Sequence, residues 1–217
     1  MRYKGVIFDL DGTLVNSLED IADSMNTVLK RYGFPTHDAD AYKAFVGRGM
    51  TNLVTRALPE DAQDEVWIAL CRDALLDEYG VNYLKKTRPY DGIIDLLTVL
   101  SRMNIERAVF SNKIDHLTKK IMAELFPHCH FGIVLGSGPG LPEKPDSKGV
   151  LAISYHLKIA PENLIYVGDS DVDMQTARNA GMIPAGALWG FRTKEELISN
   201  GAQYLLDHPM DLAPILQ

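Results

Sequence analysis

The chain alternates between short, unbroken apolar runs and longer stretches where apolar residues recur every three or four positions. The short runs are Gly5-Val6-Ile7-Phe8, Ala108-Val109-Phe110, Phe131-Gly132-Ile133-Val134-Leu135, Leu164-Ile165-Tyr166-Val167 and Ile183 to Leu188, with Gln203-Tyr204-Leu205 as a weaker edge candidate. Their length and β-branched content predict strands buried on both faces. Between them, Ile93, Leu96, Leu97 and Leu100 carry helical spacing in the stretch 91–103, as do Ile114, Leu117, Ile121 and Leu125 in 113–126. Helices over 147–157 and 171–180 follow, with Gly181 placed to end the last. Strands alternating with helices predict right-handed crossovers and an α/β fold, a doubly wound parallel sheet of Rossmann-like form covered on both faces.

Residues 16–86 break this rhythm and contain no convincing strand. Leu18, Ile21, Ala22, Met25, Val28, Leu29 and Tyr32 form one apolar helical stripe, ended by Gly33-Phe34-Pro35. Tyr42, Phe45 and Val46 predict a second helix, stopped by Gly47-Arg48-Gly49. A third is expected from Thr51 to Leu58, and a fourth from Asp61 to Tyr79 with Val66, Trp67, Leu70, Ala74 and Leu75. The pattern divides the chain into a core, 1–15 with 87–217, and an all-helical insert, 16–86. Both ends of the insert must meet at the carboxyl edge of the first strand.

At 217 residues, 46% hydrophobic and 24% charged, the composition is that of an ordinary soluble globular protein. A net charge of -7 gives no footprint for nucleic acid, so an anionic substrate must be drawn in by local positive charge and metal. Cys71 and Cys129 make no disulfide framework, and the apolar run after Met1 breaks at Asp9, too soon for a signal-peptide core. No segment approaches a membrane span, and the expected location is cytoplasmic.

Four chain-distant pieces fall at or after strand ends, where an open α/β sheet binds ligands. They are Asp9-Leu10-Asp11-Gly12-Thr13-Leu14, Ser111-Asn112, Lys144-Pro145 and Gly168-Asp169-Ser170-Asp171-Val172-Asp173. Each has an ordinary explanation by itself. Asp-x-Asp-Gly is more often an Asx turn, a lone serine after a strand is commonplace, and a lone lysine is usually solvated. Asp171 and Asp173 suit the first turn of a helix. Together they form a different inventory: a carboxylate nucleophile, a second carboxylate pointing the same way two residues on, a hydroxyl, an ammonium presented by a proline-stiffened loop, and a late acidic pair. Gly12 would let backbone N–H groups approach an anion. Asp169, at a strand end beside Asp9, would be costly without a cation or donor. This inventory suits phosphoryl transfer from an ester with help from a divalent cation. Gly136-Ser137-Gly138-Pro139-Gly140 imitates a nucleotide loop, but Pro139 and Pro142 forbid the helix that should follow, so a plain loop is expected. His128-Cys129-His130 reads as a surface turn, and Trp67 and Trp189 as packing residues.

The ordered set resembles the four motifs of the haloacid dehalogenase (HAD) superfamily across essentially the whole chain: Asp9 to Thr13, Ser111, Lys144, and Gly168 to Asp173. The insert resembles that family's C1-type cap. The resemblance implies that Asp9 is the nucleophile and forms an aspartyl-phosphate, and that Asp11 is the general acid and base. It implies Mg2+ held by Asp9, the backbone carbonyl of Asp11, and Asp169, with Asp173 a further ligand through water or an orienting group. Ser111 and Lys144 are then expected on the phosphoryl oxygens, with Gly12, Thr13 and Asn112 lining the substrate site.

Dehalogenases of this superfamily lack an acid at the position of Asp11. Sugar phosphomutases usually carry Glu-Asp-Ser-x-x-Gly in the last motif and an aliphatic residue at the position of Thr13, whereas this chain has Gly168, Asp173 and Thr13. The run Phe8 to Ser17, the Val46-Gly47-Arg48-Gly49 turn and Gly190-Phe191-Arg192 look most like phosphoglycolate phosphatases, with one departure: Asn16 stands where Asp is common. The expectation is a magnesium-dependent phosphatase of a small anionic phosphomonoester, 2-phosphoglycolate first, acting as monomer or homodimer. Arg48 is the cap candidate for a substrate carboxylate, weighed equally against a solvated turn. The alternatives are an inorganic pyrophosphatase, a phosphomutase, or a silent phosphometabolite-binding relative.

Overall fold

In the computed structural model, which describes residues 3–217, the apolar runs become one six-stranded parallel sheet. Its strands are β1 (Gly5–Phe8), β4 (Glu106–Ile114), β5 (Ile133–Ser137), β6 (Leu164–Gly168), β7 (Ile183–Ala187) and β8 (Tyr204–Leu206), in the order β5-β4-β1-β6-β7-β8. β1 lies inside the sheet, with Gly5–Phe8 registered against Glu106–Val109 on one side and Leu164–Val167 on the other. All four of its residues are buried. Val6 and Phe8 pack into one layer with Leu97 and Ile121, and Ile7 into the opposite layer with Val150 and Ile153. A strand whose alternate side chains meet helices on both faces has no polar side to show, so it reads as an unbroken apolar run. The chain order reverses across β1, which places the ligand crevice at its carboxyl end.

The helices of the core are α5 (Ile93–Arg102), α6 (Asp115–Leu125), α7 (Lys148–Leu157), α8 (Asp171–Asn179), α9 (Lys194–Ser199) and α10 (Leu212–Ile215). The last two are too short for periodicity to reveal. Gly181 has a φ of 71° after α8, as its place in the sequence requires. Residues 113 and 114, expected in α6, belong instead to the end of β4, whose register against β5 shifts between Phe110 and Ile114. Gly136 and Ser137, expected in a plain loop, close β5.

The insert forms a helical cap of α1 (Leu18–Arg31), α2 (Ala39–Phe45), α3 (Gly49–Ala57) and α4 (Glu65–Asn82). It has its own apolar centre, including Met25, Leu29, Tyr42, Val54 and Leu75. α3 starts at Gly49, inside the turn expected to precede it. α4 starts after Asp64, whose carboxylate accepts from the amides of Val66 and Trp67 at 2.9 Å each. The two chain crossings are joined as a small antiparallel ribbon, β2 (Val15–Asn16) against β3 (Arg88–Pro89). Beside it, the buried carboxylate of Asp20 accepts from the amides of Lys86 and Thr87 and from the Thr87 hydroxyl. No helix among the described residues is long and apolar enough to cross a membrane.

Candidate active site

Asp9 and Asp11 leave the end of β1, Ser111 to Lys113 lie toward the end of β4, and Asp169 follows β6. The loop between β5 and α7 delivers Lys144. Its amide donates to Asn112 Oδ1 at 2.7 Å, and the Asn112 side-chain amide donates back to the Lys144 carbonyl at 3.2 Å. The Lys144–Pro145 peptide is cis. So anchored, the Lys144 ammonium sits 2.9 Å from Asp9 Oδ1 and 2.7 Å from Asp173 Oδ1, with every partner buried. Burial alone pulls that ammonium's pKa down, but Asp173 and Asp9 more than reverse the effect and hold it charged.

Asp169 is fixed from three sides. The Thr13 hydroxyl donates to Oδ1 at 3.0 Å and the Phe191 amide to Oδ2 at 2.8 Å. Gly12 and Gly190 press on it so closely that a Cβ at either would come within 2.3 Å of an Asp169 atom. Gly12 also has a φ of 86°, so glycine is required there twice over. Its amide is spent on the Val15 carbonyl at 2.9 Å. Gly12 thus provides clearance for Asp169, and Thr13 turns its hydroxyl to that carboxylate.

Asp9, Asp169 and Asp173 are buried, with one carboxylate oxygen of each lying within 4.8 Å of the others. Burial first, then mutual repulsion with Asp173, pushes the pKa of Asp9 and Asp169 well above the usual carboxylate range; Lys144 offsets part of this at Asp9. Fully ionised, three carboxylates against one ammonium would carry a net charge of -2 in a buried pocket, and a cation relieves that repulsion. The donors are hard oxygens, so the set fits a divalent cation such as magnesium. Asp173 also completes a capping box with Ser170 at the start of α8, while Asp171 stands free of that role.

Lys113 escaped the sequence reading. Its ammonium donates to both oxygens of Asp11, at 2.9 and 2.8 Å, and lies 4.6 Å from the centroid of the Tyr79 ring on the cap. Burial acts against its charge, and Asp11 outweighs burial and keeps it protonated. Ser17 also donates to Asp11 Oδ1, at 2.5 Å. The missed signal is the run Ser111-Asn112-Lys113, in which the lysine shares a strand face with the motif serine two residues before it. Ser111 Oγ accepts from the Lys113 amide at 3.2 Å, which leaves its O–H available to a ligand.

A cleft with a water-accessible volume of about 60 Å³ opens between sheet edge and cap. Its floor carries Asp9, Asp11, Ser111, Asn112 and Lys113, and its walls are Ile21, Val46, Met50, Leu53, Leu75 and Ile114, with Tyr79. The cap turn 46–49 is held against the core. Asn112 Nδ2 donates to the Gly47 carbonyl at 3.0 Å, and Arg192 donates to the carbonyls of Val46 and Lys43. Arg48 does not line the cleft; its guanidinium pairs with Asp171 of the core. Trp189 packs as expected and donates to the Thr13 carbonyl at 2.9 Å, and Trp67 stacks edge-on with Tyr32 and Phe34.

The model of the family described as haloacid dehalogenase-like hydrolase matches residues 6–187. A phosphoglycolate phosphatase of Aquifex aeolicus is 31% identical over 211 residues, 97% of this chain and 95% of that one. An N-acetylmuramic acid 6-phosphate phosphatase of Pseudomonas aeruginosa is 28% identical over 217 residues, 100% of this chain and 96% of that one. A crystal structure from Lactobacillus delbrueckii subsp. bulgaricus superposes with a TM-score of 0.93 at 28% identity, covering 100% of this chain and 99% of that one.

Proposed function

The chain belongs to the haloacid dehalogenase-like hydrolases and is a phosphoric monoester hydrolase, and from that premise we propose that it is a magnesium-dependent phosphatase of 2-phosphoglycolate. The observation that carries the chemistry is the convergence of Asp9, Lys144, Asp169 and Asp173 in one buried cluster beside the Asp11–Lys113 pair.

Asp9 Oδ1 is occupied by the Leu10 amide and Lys144, which leaves Oδ2 to attack phosphorus and form an aspartyl-phosphate. Asp11, in its protonated form, gives a proton to the departing alkoxide and, as the carboxylate this leaves, takes one from the water that opens the intermediate. The Ser111 hydroxyl and the Lys144 ammonium hold phosphoryl oxygens, with Asn112 fixing Lys144. The carboxylates of Asp9 and Asp169 and the backbone carbonyl of Asp11 would hold magnesium, with Asp173, whose oxygens are engaged by Lys144 and Ser170, acting through water or as an orienting group; the ion would supply Lewis-acid neutralisation of phosphoryl charge. Residues 16–86 act as a cap over the core formed by 1–15 and 87–217, hinged at the β2–β3 ribbon. Its closure screens the aspartyl-phosphate from bulk water.

The choice of 2-phosphoglycolate is supported by the phosphoglycolate phosphatases that align over nearly the whole chain and by the narrow, largely apolar cleft. A sugar phosphate, the substrate named for the Pseudomonas relative, would set several hydroxyls against walls that offer them no partner. The test is a panel of phosphorylated metabolites with magnesium, in the presence and absence of chelator, on wild type and Asp9→Asn. The expected result is preferential hydrolysis of 2-phosphoglycolate that chelator and Asp9→Asn both abolish. Hydrolysis surviving in Asp9→Asn overturns the mechanism, and a better substrate elsewhere in the panel overturns the substrate.

A further inference from the structure

The floor of the cleft has one feature that phosphoryl transfer leaves unused. The Tyr79 hydroxyl, buried on the cap side, makes no close hydrogen bond to any described residue, and its polar neighbour is the Lys113 ammonium, which leaves its O–H free to donate. A buried hydroxyl left unpaired costs free energy that a ligand acceptor recovers. Directly under this ring lies Lys113, the one cationic side chain among the residues lining the cleft. Two of its three N–H groups go to Asp11, and the third faces the Tyr79 hydroxyl, a loose contact that an anionic acceptor would replace. Around the pair, Ile21, Met50, Leu53 and Leu75 offer no polar group.

We propose that Lys113 and Tyr79 form the leaving-group subsite, which reads a single carboxylate carried close to the ester oxygen. The proposal rests on the phosphatase reading and narrows its substrate class to small phosphorylated hydroxy acids. One ammonium and one phenol O–H satisfy one compact anion, and the apolar wall rejects further polar substituents by leaving them desolvated and unpaired. The subsite straddles the two parts of the molecule, Lys113 from the core and Tyr79 from the cap, so the carboxylate is gripped fully only when the cap is closed. Recognition of the acid is thereby tied to closure over the phosphoryl group. Burial pushes the Tyr79 phenol up to about 12, which keeps it a donor at working pH.

The experiment uses non-hydrolysable probes, so that it reads binding apart from turnover. With magnesium present, calorimetry compares 3-phosphonopropionate with propylphosphonate, which lacks the carboxylate. Wild type is expected to bind the acid at least about tenfold more tightly. Tyr79→Phe, which keeps the ring and the Lys113–Asp11 pair, is expected to cut that ratio at least about threefold, and Lys113→Met to bring it near one. Equal affinity for the two probes in wild type, or an unchanged ratio in both variants, overturns the subsite. Hydrolysis of 2-phosphoglycolate is measured alongside. Discrimination between the phosphonates without such hydrolysis removes the substrate and keeps the subsite, whereas hydrolysis without discrimination does the reverse.

Discussion

The guanidinium of Arg48, at the N-terminal end of α3, is paired with the carboxylate of Asp171 in the first turn of α8, so a cap residue that resembles a substrate clamp in sequence is spent on holding cap to core. The Arg48 side chain is 48% exposed, which limits such a pair to about 0–1 kcal/mol. Arg48→Ala should raise KM by no more than about fivefold. The factor should be the same for 2-phosphoglycolate and for phenyl phosphate, because the lost contact is with the core and not with the leaving group. Steady-state kinetics on the two substrates checks this; an effect confined to the carboxylate substrate would return Arg48 to direct binding.

Asp11→Asn should reduce kcat about 10²–10⁴-fold, the usual range for one general acid or base. The loss should shrink as the leaving group improves, since a phenolate with a low pKa departs with little need of a proton. A series of substituted phenyl phosphates measures the dependence. A loss independent of leaving group would contradict the acid role.

The acidic cluster predicts a pH-dependent response to magnesium. Asp9 and Asp169 have raised pKa values in the metal-free fold, so their burial is least costly when they are protonated. For a raised pKa, stability is fully present below the unfolded value of 3.8 and is lost as pH climbs through the folded value. The metal-free protein should therefore lose stability from this cluster between about pH 4 and pH 8. A divalent cation relieves that repulsion and competes with protons for the same oxygens. Saturating magnesium should raise Tm more at pH 8 than at pH 5, as scanning calorimetry would record. A larger shift at pH 5 would mean that the cation binds elsewhere.

Asp20 fastens the second chain crossing, since its buried carboxylate satisfies two backbone amides and a hydroxyl at residues 86 and 87. Asp20→Ala leaves those groups unpaired and should cost about 2–4 kcal/mol. Thermal melts should show a drop of roughly 4–16 °C for a chain of this size. A variant as stable as wild type would show that the crossing is held by the β2–β3 ribbon alone.

How much of this was legible follows from which interactions are local. The strands buried on both faces announce themselves as apolar runs. The four helices of the cap announce themselves by a periodicity that needs only one sheltered face. Asp9, Asp11, Ser111 and Asp169 could be placed together from the sequence because strand ends of a parallel sheet share one edge, so residues far apart in the chain are obliged to meet there; Lys144 reaches the same edge on the loop between β5 and α7. The shift of residues 113 and 114 from helix to strand was not readable: their spacing fits Leu117 and Ile121 on α6 equally well, and only pairing of Ile114 with Ser137 decides the matter.

By itself, then, the order of residues along this chain determined a parallel α/β core, a helical insert after its first strand, and a set of carboxylates with a lysine at the sheet's ligand edge, because propensity, periodicity and strand-end position are properties of short segments. Tertiary structure alone decided the partners. It turned Lys113 onto Asp11 and Tyr79, turned Arg48 away from the cleft onto Asp171, and spent Gly12 on clearance for Asp169. Each of these depends on the distance and burial of groups separated by tens of residues or more. An ammonium or a carboxylate carries no mark in its own segment of which opposite charge it will meet once water is excluded.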